Sequence, residues 1–532
     1  MNPKLRHLLL IIAISSTSVF LFSPNLHADE SNPRRIESAR AFFANIPSEI
    51  RNLSNEESLT ATDAALEENY KLDLSAKPGI NVLLTNGIRT RFLPSSSLYA
   101  QGNVLCRDAS SCPSSSIDFQ GIFTPCLQEV QSDCISRFGY ITETGSVEDF
   151  IPETRIDHQY ASQATDNGNK TPVANYYPNV ALGTTAGGTP YVWRSPSLKH
   201  KFGNLYIPQV VYTNQSWGTS STLNFLNKGF DISVYPVRLV KPERITTQEG
   251  LMQPNYNIVP SSYLNIPKFI LEFRSTIPWT GWAKSTISDL QVDLSRSGKD
   301  YIYTIKGAPL KTQIVQKNLS FGEVNPTILK KLVFPGSSLD KQCPDGLVKC
   351  SLYVTNMKTA YDGIFPNLTL LESSLGSTAN AYPYKWSIGS LFAFDYYSKT
   401  GIVGSNKITA CLANFKNTLA GITTTNSVVT SEGPPTWNSK NLSLDYQLFS
   451  VSKDKQGDTF KGTYSLQISN EVALCLWGTK PTLSNAKLEV TNSDGNVQIV
   501  TSTTKINKAG LAIQVSGFHF SSPVIRVKLV KK

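Results

Sequence analysis

The chain of 532 residues carries 50 lysines and arginines against 40 aspartates and glutamates, a formal net charge of +10, and is 40% hydrophobic. No basic run exceeds the pairs Lys330-Lys331 and Lys531-Lys532. That dispersal argues against a nucleic-acid partner and leaves a solvated surface, or attraction to an anionic polymer or membrane surface. Of the five histidines only His158, His200 and His519 lie beyond residue 28, so no HExxH or paired-His motif can be drawn, and neither a metal nor a cofactor is expected.

In chain order, residues 1–28 read as a signal peptide. Lys4 and Arg6 precede an uncharged run from Leu8 to Phe22, Pro24 breaks it, and Ala28 suits cleavage before Asp29. The run is shorter than the ~20 residues of a membrane span, and no comparable run follows. The expectation is a secreted or cell-surface-associated protein with no transmembrane span once mature. Residues 29–75 read as a short helical segment, with apolar residues at three- and four-residue spacing in PRRIESARAFFANI and SNEESLTATDAALEENYK and a capping box from Ser54 to Glu57.

From residue 76 the pattern changes to short runs of Thr, Val, Ile, Tyr and Phe punctuated by Gly, Pro, Asn and Asp, so the fold class is mainly β, with tandem β-sandwich-like domains. Residues 76–340 form a β-rich region containing a disulfide-stapled insert, Cys106, Cys112, Cys126 and Cys134, and a polar loop between Tyr160 and Tyr191. The cysteine spacing lacks the C-x2-C pairs of a zinc ribbon, and an even count in an exported chain implies disulfides, first by local pairing: Cys106 with Cys112, Cys126 with Cys134. His200, in SLKHKFG, reads as a polar turn residue. A hairpin is legible in DLQVDLSRSGKDYIYTIKG, where Leu290, Val292 and Leu294 face one way and the turn falls at Ser297-Gly298.

Residues 341–404 read as a β-rich connecting region that opens on CPDGLVKC. There a disulfide between Cys343 and Cys350 pins a turn at Pro344-Asp345-Gly346, and a return strand starts at Leu347. Residues 405–532 read as a C-terminal β-sandwich with strand-like runs KITACLANF, SLDYQLFSV, GTYSLQIS, VALCLWG and LAIQVSG, a hairpin turning at Asp494-Gly495, and a closing strand VIRVKLV whose charges discourage edge pairing. Cys411 and Cys475 are expected to bridge two sheets across this core.

Three stretches in that last region, Gly433-Pro434-Pro435, Phe460-Lys461-Gly462 and Cys475-Leu476-Trp477-Gly478, together with Ser516 to Leu529, resemble a block found at the C-terminus of secreted, uncharacterised proteins of Gram-positive actinobacteria. The resemblance covers residues 433–529, about a fifth of the chain. It implies secretion and a β fold and brings no activity.

Two constellations bear on function. Glu143, Glu148, Asp149, Glu153, Asp157 and His158 form an acidic cluster, of which Glu148 to His158 would supply a secreted carbohydrate-active hydrolase with the paired carboxylates it needs, about 5 Å apart for retention and wider for inversion. Against it stands the reading of a solvated polar loop. Trp279, Trp282 and Trp437 sit beside Pro or Gly in turn-like settings where an indole face can stack on a sugar ring, while Trp477 reads as core packing against Cys475. With histidine this scarce and no G-x-S-x-G element, the favoured expectation is a non-enzymatic binding or structural protein whose partner is a cell-envelope glycan or a surface protein; the hydrolase is the alternative.

Overall fold

The structure is a computed structural model that describes residues 77–85, 97–100, 104–105, 117–155, 185–217, 225–240, 257–324, 343–355, 374–391 and 419–530, less short internal gaps, with isolated positions such as Lys407 and Cys411. The expected signal peptide and helical segment, the Cys106 and Cys112 pair, Asp157, His158 and nearly all of the Tyr160–Tyr191 loop lie outside these residues. What is described is mainly β and is built from several sheets.

With strands numbered in chain order, the longest hydrogen-bonded path runs through β3 (Val104–Leu105), β2 (Ser97–Ala100), β4 (Ile117–Ile122), β10 (Leu205–Trp217), β11 (Phe225–Val240) and β19 (Tyr384–Ser390). It continues through β14 (Gly281–Ser285), β20 (Leu419–Thr425), β24 (Lys461–Ser469), β27 (Gly510–His519) and β26 (Thr501–Ile506). Only β14 with β20 is parallel along this path. Flanking it, β9 (Tyr191–Arg194) pairs with β10 and with β8 (Ile151–Arg155), and β12 (Asn257–Pro260) pairs with β11.

A second layer runs β7 (Val147–Asp149), β6 (Cys134–Ile141), β13 (Lys268–Ser275), β16 (Asp300–Lys311), β15 (Ile287–Ser297), with β5 (Thr124–Pro125) beside β6. Two smaller sheets complete the fold. One is β17 (Val315–Leu319), β1 (Gly79–Leu84), β18 (Ser351–Thr355). The other has β21 (Val429–Thr430) and β22 (Thr436–Asn438) on β23 (Ser443–Phe449), then β28 (Val524–Leu529) and β25 (Ala486–Thr491). The ladders branch without returning on themselves, so no barrel closes among the described residues.

Because successive strand residues point to opposite faces, one sheet can serve two cores. On one face of the long sheet, Tyr206, Val210, Tyr212, Phe230, Ile232, Ala283 and Ile388 pack with Phe138, Phe269, Leu271, Phe273, Tyr303 and Ile305 of the second layer. On the opposite face, Trp282, Tyr464, Leu466, Ile468, Leu511, Ile513 and Val515 pack with Leu444, Tyr446, Ile525 and Val527 of the β23-β28-β25 sheet. Trp282 and Ala283 are neighbours on β14, and each enters a different core. A third cluster joins Ile80, Val82 and Val354 to Val428 and Phe449. The strands thus interleave across the expected boundaries: β19, from the connecting region, sits between β11 and β14, and β20 extends a sheet begun at residue 97.

Several local expectations meet a definite outcome. The β15–β16 hairpin forms with Ser297 opposite Asp300 and Gly298 at φ 57°, and Leu290 is buried while Asp289 and Gln291 are exposed. The expected strand VALCLWG is instead the helix α1 (Asn470–Trp477): the Ser469 hydroxyl accepts from the Val472 N–H at 3.2 Å, and Gly478, at φ 69°, ends it. Lys407 and Cys411 of KITACLANF are helical too. The Cys411–Cys475 disulfide is present, but it ties to a helix and not across two sheets, with Cys411 buried and Cys475 exposed.

The Cys126–Cys134 and Cys343–Cys350 bonds are also present. The return strand after the latter starts at Ser351, because Leu347 to Lys349 are consumed by two further turns, Lys349 N–H to Gly346 O at 3.3 Å and Cys350 N–H to Leu347 O at 3.3 Å. Gly495, at φ 86°, turns the chain after β25 as expected, but the return there is the single bridge Thr491 to Val497. β28 is no edge strand: it lies between β23 and β25, and its charges are used inside the sheet, Arg526 on Asp445 at 3.1 Å and on Glu489 at 3.8 Å, Lys528 on Glu489 at 2.5 Å.

Candidate functional site

The acidic cluster is divided among separate structural tasks. Glu148, on β7, accepts from the Ser195 hydroxyl at 3.2 Å, the Ser197 N–H at 3.0 Å and the Ser197 hydroxyl at 2.7 Å, so it holds the turn that follows β9. Asp149 pairs with Arg137 of the neighbouring β6 at 2.6 Å. Glu153 falls where the β8–β9 register slips and is buried; one carboxylate oxygen bonds Arg194, and the other, Oε2, has no partner. Arg194 also donates to Asn204 at 3.1 Å. Glu148, Asp149 and Glu153 thus each have their own fixed donors, while Glu143 is exposed.

The tryptophans expected as sugar platforms are corrected by their burial. Trp279 is 0% and Trp282 1% exposed, and their indole N–H groups are bonded inside the protein, to Ser390 Oγ and Thr423 Oγ1, each at 2.8 Å. Trp282 lies over Gly421, where a Cβ would come within 2.5 Å of the ring. Trp437 is 6% exposed, packs edge-on against Trp477 at 5.6 Å, and is covered by the Lys407 ammonium 4.5 Å from its ring centre. An indole buried on both faces offers a sugar nothing to stack on.

His200 does open a turn, closed by its bridge to Gly203, but its ring is buried, in T-shaped contact with Tyr206 at 5.3 Å. Its Nδ1 accepts from the Phe202 N–H at 3.2 Å, so the ring proton sits on Nε2, which donates to Leu205 O at 3.0 Å; the Ser261 hydroxyl meets Nδ1 at 2.9 Å. Burial holds its pKa below the ordinary value of 6.5. A second buried group has no sequence signature. Asp133, at φ 54°, accepts from Thr276 N–H at 2.8 Å and Ala186 N–H at 2.9 Å, joining three separated segments beside the Cys126–Cys134 bond. Desolvation raises its pKa against the lowering effect of those bonds.

The arrangement most open to a ligand lies on the long sheet's far end. There β24, β27 and β26 cover the second core with one face and leave the other to solvent. In register across that outer face stand Thr463, Ser516 and Thr501, then Ser465, Gln514 and Thr503, then Gln467, Ala512 and Lys505. Strand geometry spaces such side chains about 4.8 Å across the sheet and roughly 6.7 Å along it. Thr501, Thr503, Lys505 and Gln514 are exposed. At the covered end, Gln467 Nε2 donates to Leu290 O of β15 at 2.8 Å, which makes β15 a ledge over the face. Elsewhere on this sheet, Thr424 Oγ1 of β20, opposite Ser465, and Thr463 Oγ1 of β24 are buried without a partner, and Thr424 is 5% exposed. No residue of the array is acidic.

Among the described residues no cluster of histidine, cysteine or carboxylate groups could hold a metal ion, and no helix is long and apolar enough to cross a membrane. Comparison with family models, with curated proteins and with solved structures finds no match.

Proposed function

We propose that the chain is an exported, non-catalytic binding or structural protein of the cell surface or extracellular space, built from tandem β-sandwich-like units, whose partner is a cell-envelope glycan or a surface protein. The observation that carries this reading is the engagement of the expected catalytic acids: Glu148 on three donors, Asp149 on Arg137, Glu153 on Arg194. A carboxylate held by fixed donors for a structural purpose is poorly placed to exchange a proton or attack a sugar carbon. Disulfides support the exported compartment, since they persist in oxidising surroundings. The resemblance of residues 433–529 to a block of secreted actinobacterial proteins agrees with that location.

One observation keeps the hydrolase as a second reading: the buried Glu153 has an unused oxygen. Incubating the mature protein with envelope polysaccharides, and following sedimentation together with release of reducing ends, separates the two. Co-sedimentation without release is the expected result. Release that disappears in Glu153→Gln, while binding persists, would establish the hydrolase.

A further inference from the structure

Resting on that binding reading, we propose that the outer face of β24, β27 and β26 is the glycan site, and that its ligand is an acidic polysaccharide. Ser465, Thr501, Thr503, Gln514 and Ser516 carry hydroxyl and amide groups in register, each a donor and an acceptor, with no large apolar side chain among them. A polyhydroxylated chain meets such a surface with the same mixture of donors and acceptors. A protein partner would be expected to find aromatic or aliphatic anchors there, and the array has none.

Charge favours the same ligand. Lys505 stands at one end of the array, and Lys461, whose ammonium donates to His519 Nε2 at 3.2 Å, stands at the other. Six residues along β24 separate the levels of these two cations, roughly 20 Å of strand. With no carboxylate between them, the strip is complementary to a polymer bearing its own carboxylates at intervals. Unused bonding capacity lies beneath the strip, where the Thr424 hydroxyl, on β20 opposite Ser465, and the Thr463 hydroxyl lack partners. A buried hydroxyl without a partner is costly, and a sugar hydroxyl reaching between the strands would relieve it.

The test uses the full mature chain with polygalacturonate as the acidic probe and dextran as the neutral one, followed by calorimetry at two salt concentrations. Wild type should bind polygalacturonate and bind dextran at least tenfold more weakly. Thr503→Glu with Gln514→Glu should lower polygalacturonate affinity at least tenfold by placing like charge in the centre of the strip, and Lys505→Gln about threefold with a shallower salt dependence. Lys487→Gln, exposed on β25 of the other sheet, should bind as wild type. If the double variant does not fold, Lys505→Gln and Thr503→Ala carry the test. Wild-type affinity in the array variants would overturn the site while leaving the binding reading intact. Equal binding of dextran would overturn the acidic ligand. Absence of polygalacturonate binding would overturn the whole inference, with the envelope sedimentation assay judging the broader reading on its own.

Discussion

The two cores that share the long sheet are made of different materials. The first is a lattice of aromatic rings: Phe138 meets Phe150 edge-on at 4.7 Å, Phe273 stacks on Tyr303 at 5.1 Å, and Phe230 touches Phe273 at 5.3 Å and Trp279 at 5.7 Å. The second is mostly aliphatic strand residues sealed by α1 and the Cys411–Cys475 bond. Aromatic contacts supply large buried areas with preferred geometries, so the first core holds by fit. The second holds partly through a covalent tie. What the contrast teaches is that β14, with Ala283 in one and Trp282 in the other, makes the stability of either core a property of both.

The sharpest way to break that coupling is to empty one core at a time. Trp279→Ala and Trp282→Ala should each cost about 3–5 kcal/mol, and denaturant unfolding should remain a single transition in both variants. Two separated transitions would show that the cores are independent. Replacing Cys411 and Cys475 together by serine should cost about 2–4 kcal/mol, since the chain-entropy model assigns a loop of that size roughly 4, against about 2.5 for the Cys343–Cys350 pair. Thermal melts of the two double variants check the order.

Gly421→Ala tests the seam itself. Its Cβ would lie 2.5 Å from the Trp282 ring, and the expected loss is about 1–3 kcal/mol by urea titration. The smallest effect concerns pH. The folded His200 resists protonation while the unfolded one titrates near 6.5, so its contribution is present above that pH and is lost as pH falls below it toward the depressed folded value. His200→Gln should flatten the stability profile between about pH 7 and 5 relative to wild type.

Legibility followed the range of the forces involved. The β15–β16 hairpin was readable because alternation and the Gly298 turn are local, and Cys126–Cys134 and Cys343–Cys350 because the partners are near in sequence. The run VALCLWG misled because a short apolar run fits a buried strand as well as a helix, although Ser469 and Gly478 held the start and stop signals. VIRVKLV had the right alternation and the wrong place, since its neighbours β23 and β25 are chosen by tertiary pairing. Trp279 and Trp282 looked like loop residues beside Pro278 and Gly281, and only the two cores reveal where their rings go. The Thr and Gln array was hidden for the same reason: TSTTKI, GTYSLQIS and GLAIQVSG each show a polar alternate face, but nothing local says that the three faces adjoin.

β14 finds its parallel neighbour β20 only after more than a hundred further residues, and Ile422 of β20 is part of the first core. A chain emerging from its N-terminus would therefore carry an unfinished aromatic cluster and an open β14 edge until residue 425 had followed. Long-range pairings of this kind slow folding and leave sticky intermediates exposed. Any piece ending before that point should aggregate, so the chain's first four hundred residues must wait for the rest.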